Sequence, residues 1–221
     1  MAHLTSSRLR SANLSRMDSQ QRSWAADRPV KSPFAKPRGL RGRLAGRFML
    51  WTNKQDDLLT VLDVRPGDRV LEVGYGPGGL VRLLAGRTDA AAVQGVDPSP
   101  AMRDVATKLN RAAVRAGLVE LGIGSAERTG VPAQSVDHVV SVNNVAIWPD
   151  LEAGIRELHR VVRPGGTVVI AWHGGRSPSR IAHSLRLPED KLNRIDSALK
   201  GTFGDVTRCQ LKSLDVFTAT R

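Results

Sequence analysis

A single cysteine, Cys209, is all that the 221 residues contain. One thiol can form neither an internal disulfide nor a multi-cysteine metal site, which excludes a stapled secreted domain and a zinc module. A reducing, cytoplasmic setting is the expectation. No stretch approaches the ~18 to 20 consecutive apolar residues of a helical membrane span, so a spanning protein is excluded too. Aromatic residues are scarce, at 4%. Acidic residues are nearly missing from the first quarter of the chain. Residues 1–54 hold 12 basic side chains against two acidic ones, Asp18 and Asp27, whereas the other 167 residues hold 21 against 19. The formal net charge of +12 therefore belongs to an arm and not to the body.

That arm has no sustained hydrophobic period over at least its first 36 residues. Arg28-Pro29, Ser32-Pro33 and Lys36-Pro37 remove backbone donors and block helix, and there is little apolar surface to bury. An Arg- and Ser-rich, acid-poor start is shared with transit peptides, against which Asp18 and the prolines speak. Residues 1–41 are expected to form a solvated, disordered arm, contact with nucleic acid or an anionic membrane being the other use of such charge. The globular part is residues 42–221. Leu44, Phe48, Leu50, Trp51, Leu58, Leu59 and Leu62 recur at roughly helical spacing and predict a helical cover over 42–63.

After the turn Arg65-Pro66-Gly67-Asp68, short apolar runs at 69–73, 92–96, 119–123, 136–142 and 167–172 alternate with helical patterns at 79–85, 100–116 and 151–162. Such alternation predicts one α/β domain, a Rossmann-like doubly wound and mostly parallel sheet covered by helices. A further helix is expected at 188–199. Two last strands, 206–211 and 214–219, stand too close in sequence for a parallel crossover and should form an antiparallel pair.

The strongest chemical signal is Glu72-Val73-Gly74-Tyr75-Gly76-Pro77-Gly78-Gly79, a strand running through a glycine-rich turn into a helix. Glycine lets the backbone approach a ligand closely, and a helix start favours an anion. Gly74, Gly76 and Gly79 also satisfy the dinucleotide pattern G-x-G-x-x-G. Two carboxylates tilt the choice. Glu72 at the strand mouth suits a cationic amine and is poor beside a pyrophosphate; Asp97, ending the next strand, can accept from both hydroxyls of a ribose. Their plain alternatives are a strand-end residue and a helix cap.

In order along the chain, Arg65 to Gly74, Gly95-Val96-Asp97-Pro98-Ser99, Gly124-Ser125-Ala126-Glu127, Val136 to Asn144 and Leu158 to Gly166 resemble the class I S-adenosylmethionine-dependent methyltransferases, in particular the type-11 group. The resemblance covers about half the chain. It implies S-adenosylmethionine as cofactor. Glu72, Gly74, Tyr75, Gly76 and Gly78 would surround its methionine end and Asp97 its ribose. Pro98, Ser99, Met102, Ser125 and Ala126 would border the adenine, and Asn143 would face the transferring methyl. Many relatives carry Asp where this chain has Ser125, which can accept a hydrogen bond there without charge.

The acceptor is expected to be a small molecule, methylated at O, N or C. Base-amino methylation commonly uses Asn/Asp-Pro-Pro-Tyr/Phe after the fourth strand, and this chain has Asn143-Asn144-Val145-Ala146. Cys209, on a late strand, is expected to be a small core hydrophobe and not a nucleophile. Trp51, Trp148 and Trp172, with Tyr75, are expected around the cofactor mouth as apolar pocket walls, ordinary packing being the alternative. His138 is expected to be structural and His159 solvated. His173, closing the fifth strand, is the candidate general base, and Asn144 the second candidate catalytic residue. No metal is called for. Two other functions stay open: an RNA or protein methyltransferase that uses the basic arm, and a non-catalytic S-adenosylmethionine-binding domain.

Overall fold

The computed structural model describes residues 23–25, 56–178 and 180–221. Helix α1 (Leu58–Leu62) leads into strand β1 (Arg69–Val73), helix α2 (Gly79–Arg87), strand β2 (Ala92–Asp97), helices α3 (Pro100–Leu109) and α4 (Arg111–Arg115), and strands β3 (Val119–Ile123) and β4 (Val136–Val142). A 3-10 turn (Val145–Ile147) and helix α5 (Leu151–Val161) follow. Then come strand β5 (Val162–His173), helices α6 (Arg180–Ser184) and α7 (Glu189–Phe203), and strands β6 (Val206–Gln210) and β7 (Leu214–Thr220).

The strands form one sheet in the order β3-β2-β1-β4-β5-β7-β6. Neighbours among β1 to β5 are parallel, and β7 runs antiparallel to both β5 and β6. This is the Rossmann-like architecture that the sequence pattern implies. Strand order reverses between β1 and β4, so their carboxyl ends flank the crevice where open α/β sheets bind ligands.

Side chains alternate between two apolar layers, as the twofold repeat of a strand requires. Leu71, Val73, Val139, Val168, Ile170 and Phe217 face α5 and α7 through Ile155, Leu158, Leu192 and Ile195. Val70, Val140, Val142, Val169 and Val216 face α1, α2 and α3 through Leu58, Leu80, Leu84 and Met102. Every residue of β4 is buried, as a central parallel strand should be.

At the amino end of β4, remote from the crevice, His138 bridges Thr167 Oγ1 (2.7 Å) and Asp68 Oδ2 (2.9 Å). That is the structural role expected of it. Cys209 packs at the edge of the second layer. His159 is not solvated as expected: it is half-buried against Phe203, with ring centres 5.1 Å apart.

Three elements differ from the sequence pattern. The helix expected over 100–116 breaks at Asn110, whose side-chain amide donates to Ala106 O (2.9 Å) and Gly78 O (3.1 Å). Strand β5 starts five residues early, with a register shift opposite Val136. Helix α6 carried no foreseen pattern. Of the predicted helical cover over 42–63, only the end from Asp56 onward lies within the described residues. Of the arm, only Ser23, Trp24 and Ala25 are described, and these are not fully solvated: Trp24 and Ala25 are half-buried against the α5–α7 layer, and Ser23 is 5% exposed.

Candidate active site

Strand β1 carries Glu72 to its carboxyl end and then turns sharply through Gly74 (φ +77°) and Gly76 (φ +52°) into α2. The turn is fastened to the end of β2. Gly74 N–H donates to Val96 O (2.7 Å), and Gly76 N–H donates to Asp97 Oδ2 (2.9 Å). The other Asp97 oxygen accepts from Ser99 N–H (2.8 Å). Each carboxylate oxygen has a second lone pair, so Asp97 keeps the capacity to accept two more hydrogen bonds. Burial raises its pKa, while the two N–H donors oppose that rise.

Glu72 is buried beside Asp97. Burial and then the Asp97 charge push its pKa well up, against a backbone N–H of Val81 near the start of α2. Its Oε2 has no hydrogen-bond partner among the described residues. A buried acid with an orphaned oxygen, next to a second acid, is complementary to a cation with N–H donors. A ligand bearing an ammonium and a vicinal diol fits this pair. A pyrophosphate does not.

The glycines answer to packing as much as to a ligand. A Cβ on Gly74 would overlap the side-chain amide of Asn144, and one on Gly78 would sit 2.7 Å from Asn110 Nδ2 and 2.8 Å from Ala106 Cβ. Tyr75 contributes its main chain to the loop. Its ring packs on Gly95 in the core, and its hydroxyl donates to Gly122 O (3.2 Å), so it is not a pocket wall. Met102 is likewise buried in the second layer, its N–H capped by Ser99 Oγ (3.4 Å). Pro98 is exposed beside them. Gly124 N–H donates to Asp97 O (3.3 Å), which brings the half-buried Ser125 next to Asp97, while Ala126 packs into the first layer.

At the exit of β4, Asn143 adopts a left-handed backbone (φ +56°), which asparagine tolerates better than most residues. Asn144 then turns inward. Its Oδ1 accepts from Ser141 Oγ and Trp148 Nε1, both at 2.7 Å, and its Nδ2 donates to Val73 O at 2.8 Å. An amide committed to both sides of the crevice orients the loop, with its oxygen and its N–H groups all engaged by the protein. Trp148 is buried, with its ring against Gly154. Trp172 donates its Nε1–H to Leu185 O (2.8 Å) and stacks edge-on to His173 at 5.5 Å. Both tryptophans therefore spend their polar edge on the protein. Trp51 lies outside the described residues.

His173 ends β5, as expected. Burial lowers its pKa to about 4, and no described residue hydrogen-bonds its ring. It stands neutral across neutral pH, able to take a proton. Sequence reasoning missed Ser141 and Asn110, which bond the turns at the crevice, and Trp24, which caps carbonyls of the loop after β4; a serine in an apolar run, an asparagine in a helical pattern and a tryptophan in the arm gave no signal of what they would face. Among the described residues no His, Cys, Asp and Glu group could hold a metal ion.

A family model for a methyltransferase domain matches residues 71–170, from β1 to β5. An uncharacterized methyltransferase of Bacillus subtilis (strain 168), YdaC, is 36% identical over 129 residues, covering 58% of this chain and 69% of that one. The chain belongs to the class I S-adenosylmethionine-dependent methyltransferases, in the type-11 group. Its cofactor is S-adenosylmethionine, which carries the ammonium and the ribose diol that the Glu72–Asp97 pair fits. The chain is also similar to the chloroplastic 2-methyl-6-phytyl-1,4-hydroquinone methyltransferase of Arabidopsis thaliana, 34% identical over 120 residues. That match takes in 52% of this chain but spans only 34% of the plant enzyme. Phosphoethanolamine N-methyltransferase 2 of Haemonchus contortus, solved with S-adenosyl-L-methionine, shares the fold at a TM-score of 0.60 and 19% identity, over 86% of this chain and 54% of that one.

Proposed function

We propose that this methyltransferase acts on a small molecule, at O, N or C, held between the exit of β4 and the end of β5. The observation that carries the reading is His173: a half-buried, neutral imidazole, its ring nitrogens unbonded by any described residue, at the carboxyl end of β5, one strand from Asn143 and beside the Trp172 ring. In the bound cofactor the methyl is activated by a positive sulfur. The protein's share is alignment and exclusion of water.

Asp97 would hold the ribose hydroxyls and Glu72 the amino group, with Gly74, Gly76, Gly78 and the Tyr75 main chain around the methionine end. Pro98, Ser99, Met102, Ser125 and Ala126 would border the adenine, and Asn143 would face the methionyl part. Asn144 would fix the loop. An O- or N-acceptor gives up its proton as the new bond to carbon forms, and His173 would receive it. Trp148 and Trp172 would form the apolar wall of the acceptor space.

The similarity to an enzyme named for a hydroquinone supports a small aromatic acceptor. The sequence after β4, Asn143-Asn144-Val145-Ala146, offers no aromatic to stack a flipped base. The single cysteine suits a reducing, cytoplasmic compartment. Labelled S-adenosylmethionine offered with separate pools of hydroquinones, phenols, amines and RNA tests the reading. Label should enter a small-molecule pool; label in RNA alone would overturn it.

A further inference from the structure

Ser23 and Trp24 belong to the arm, yet they close the exit of β4. In the 3-10 turn at Val145–Ile147 the Val145 carbonyl accepts from Trp148 N–H (3.3 Å), whereas those of Ala146 and Trp148 have no partner within the turn itself. Three of the carbonyls there are met from the arm. Trp24 Nε1–H donates to Val145 O (2.6 Å), Ser23 Oγ donates to Ala146 O, and Trp24 N–H donates to Trp148 O (3.1 Å). Ser23 Oγ also accepts from Ala25 N–H (3.1 Å), which folds the three residues into a tight turn. On its other side the Trp24 indole lies under the Arg194 guanidinium of α7, 5.8 Å from the ring centre. That guanidinium is itself held by Glu152 of α5 at 2.9 Å.

We infer that Ser23 and Trp24 are positioning residues for methyl transfer, which clamp the β4 exit loop and through it the face presented to the acceptor. The link runs over short distances. The capped carbonyls belong to residues 145, 146 and 148; Trp148 grips Asn144, and Asn144 fills the space above Gly74. A solvated tail would leave the Ala146 and Trp148 carbonyls to water, Val145 O with only the Trp148 N–H, and the loop free to move. The inference rests on the proposed placement of the acceptor beside this loop.

Trp24→Ala, Trp24→Phe and Ser23→Ala in the full chain test it, by backbone hydrogen exchange and by turnover. Trp24→Phe keeps a ring and the main-chain N–H but loses the Nε1 donor. In Trp24→Ala, exchange of amides 144–148 should rise at least about tenfold, with β1 and β2 unchanged and the affinity for S-adenosylhomocysteine within about twofold; Trp24→Phe and Ser23→Ala should fall between. With 2-methylhydroquinone as probe acceptor, kcat should fall at least about fivefold, the scale of one lost hydrogen bond, while KM for S-adenosylmethionine holds. Unchanged exchange at 144–148 would overturn the inference, as would a released loop with full kcat, or exchange rising equally through the whole sheet in all three variants. The exchange readout needs no turnover, so it stands apart from whether the acceptor class is right.

Discussion

Asn144→Ala should be among the most damaging single changes in the crevice, although the residue need touch neither cofactor nor acceptor. The side chain is buried, and five groups bond it: Ser141 Oγ, Trp148 Nε1 and the carbonyls of Val73, Val142 and Gly74. Trp148 Nε1–H and Val73 O would be stranded, while the Ser141 hydroxyl is free to rotate toward another acceptor. Each stranded buried group costs roughly 1–3 kcal/mol, so two of them predict a loss of about 3–5 kcal/mol, a large fraction of the ~5–15 kcal/mol that holds a domain together. Urea denaturation without cofactor should show a lower midpoint with an unchanged slope. Combining Asn144→Ala with Trp148→Phe isolates the pair. Removal of the indole N–H should cost much less in the variant that already lacks its acceptor, giving a coupling of about 1 kcal/mol or more. A loss below about 1 kcal/mol in Asn144→Ala, or additive effects in the double variant, would refute the assignment of Asn144 as the brace of this loop.

Asp97→Ala should weaken S-adenosylmethionine binding by roughly 2–3 kcal/mol, the scale of hydrogen bonds to a charged group, as read by calorimetry. Glu72 has a folded pKa above its ordinary 4.5, so the unfolded chain loses that proton first and stability falls as pH rises past 4.5; Glu72→Gln should be more stable than the parent at neutral pH while binding the cofactor less well. His173→Ala should lower turnover of an O- or N-acceptor by roughly 10² to 10⁴ with cofactor affinity retained. Because the His173 pKa is about 4, the parent's rate should not drop at pH 6.5 but only nearer 4, and stability should rise between those values as the unfolded chain gives up its extra proton.

The strands and their order of use were legible because each central strand holds a short apolar run bounded by turn residues; all five form at those runs, β5 alone extending five residues further back. The pair Glu72 and Asp97 was legible for the same reason: a charge at the end of a buried strand has one place to be. What escaped were orientations. Tyr75 reads as a pocket aromatic until the positive φ values of Gly74 and Gly76 turn its ring to Gly95. Asn144 reads as a reactive-face residue until Asn143 goes left-handed and swings it inward. Trp24 lies 121 residues from the carbonyl that it caps, and no local period records a contact over that separation.

The break at Asn110 has a consequence for the energetics of ligand capture. The amide that interrupts the helix reaches Gly78 at one end of the glycine-rich turn, as Asn144 reaches Gly74 at the other. Two side chains thus stretch the turn between fixed posts before any ligand arrives. A turn held in this way has little conformational entropy left to lose, so association approaches rigid docking, and most of the interaction energy is retained as affinity. Relaxing either post would surface as an added entropic penalty on binding, with the contacts to the ligand themselves unchanged.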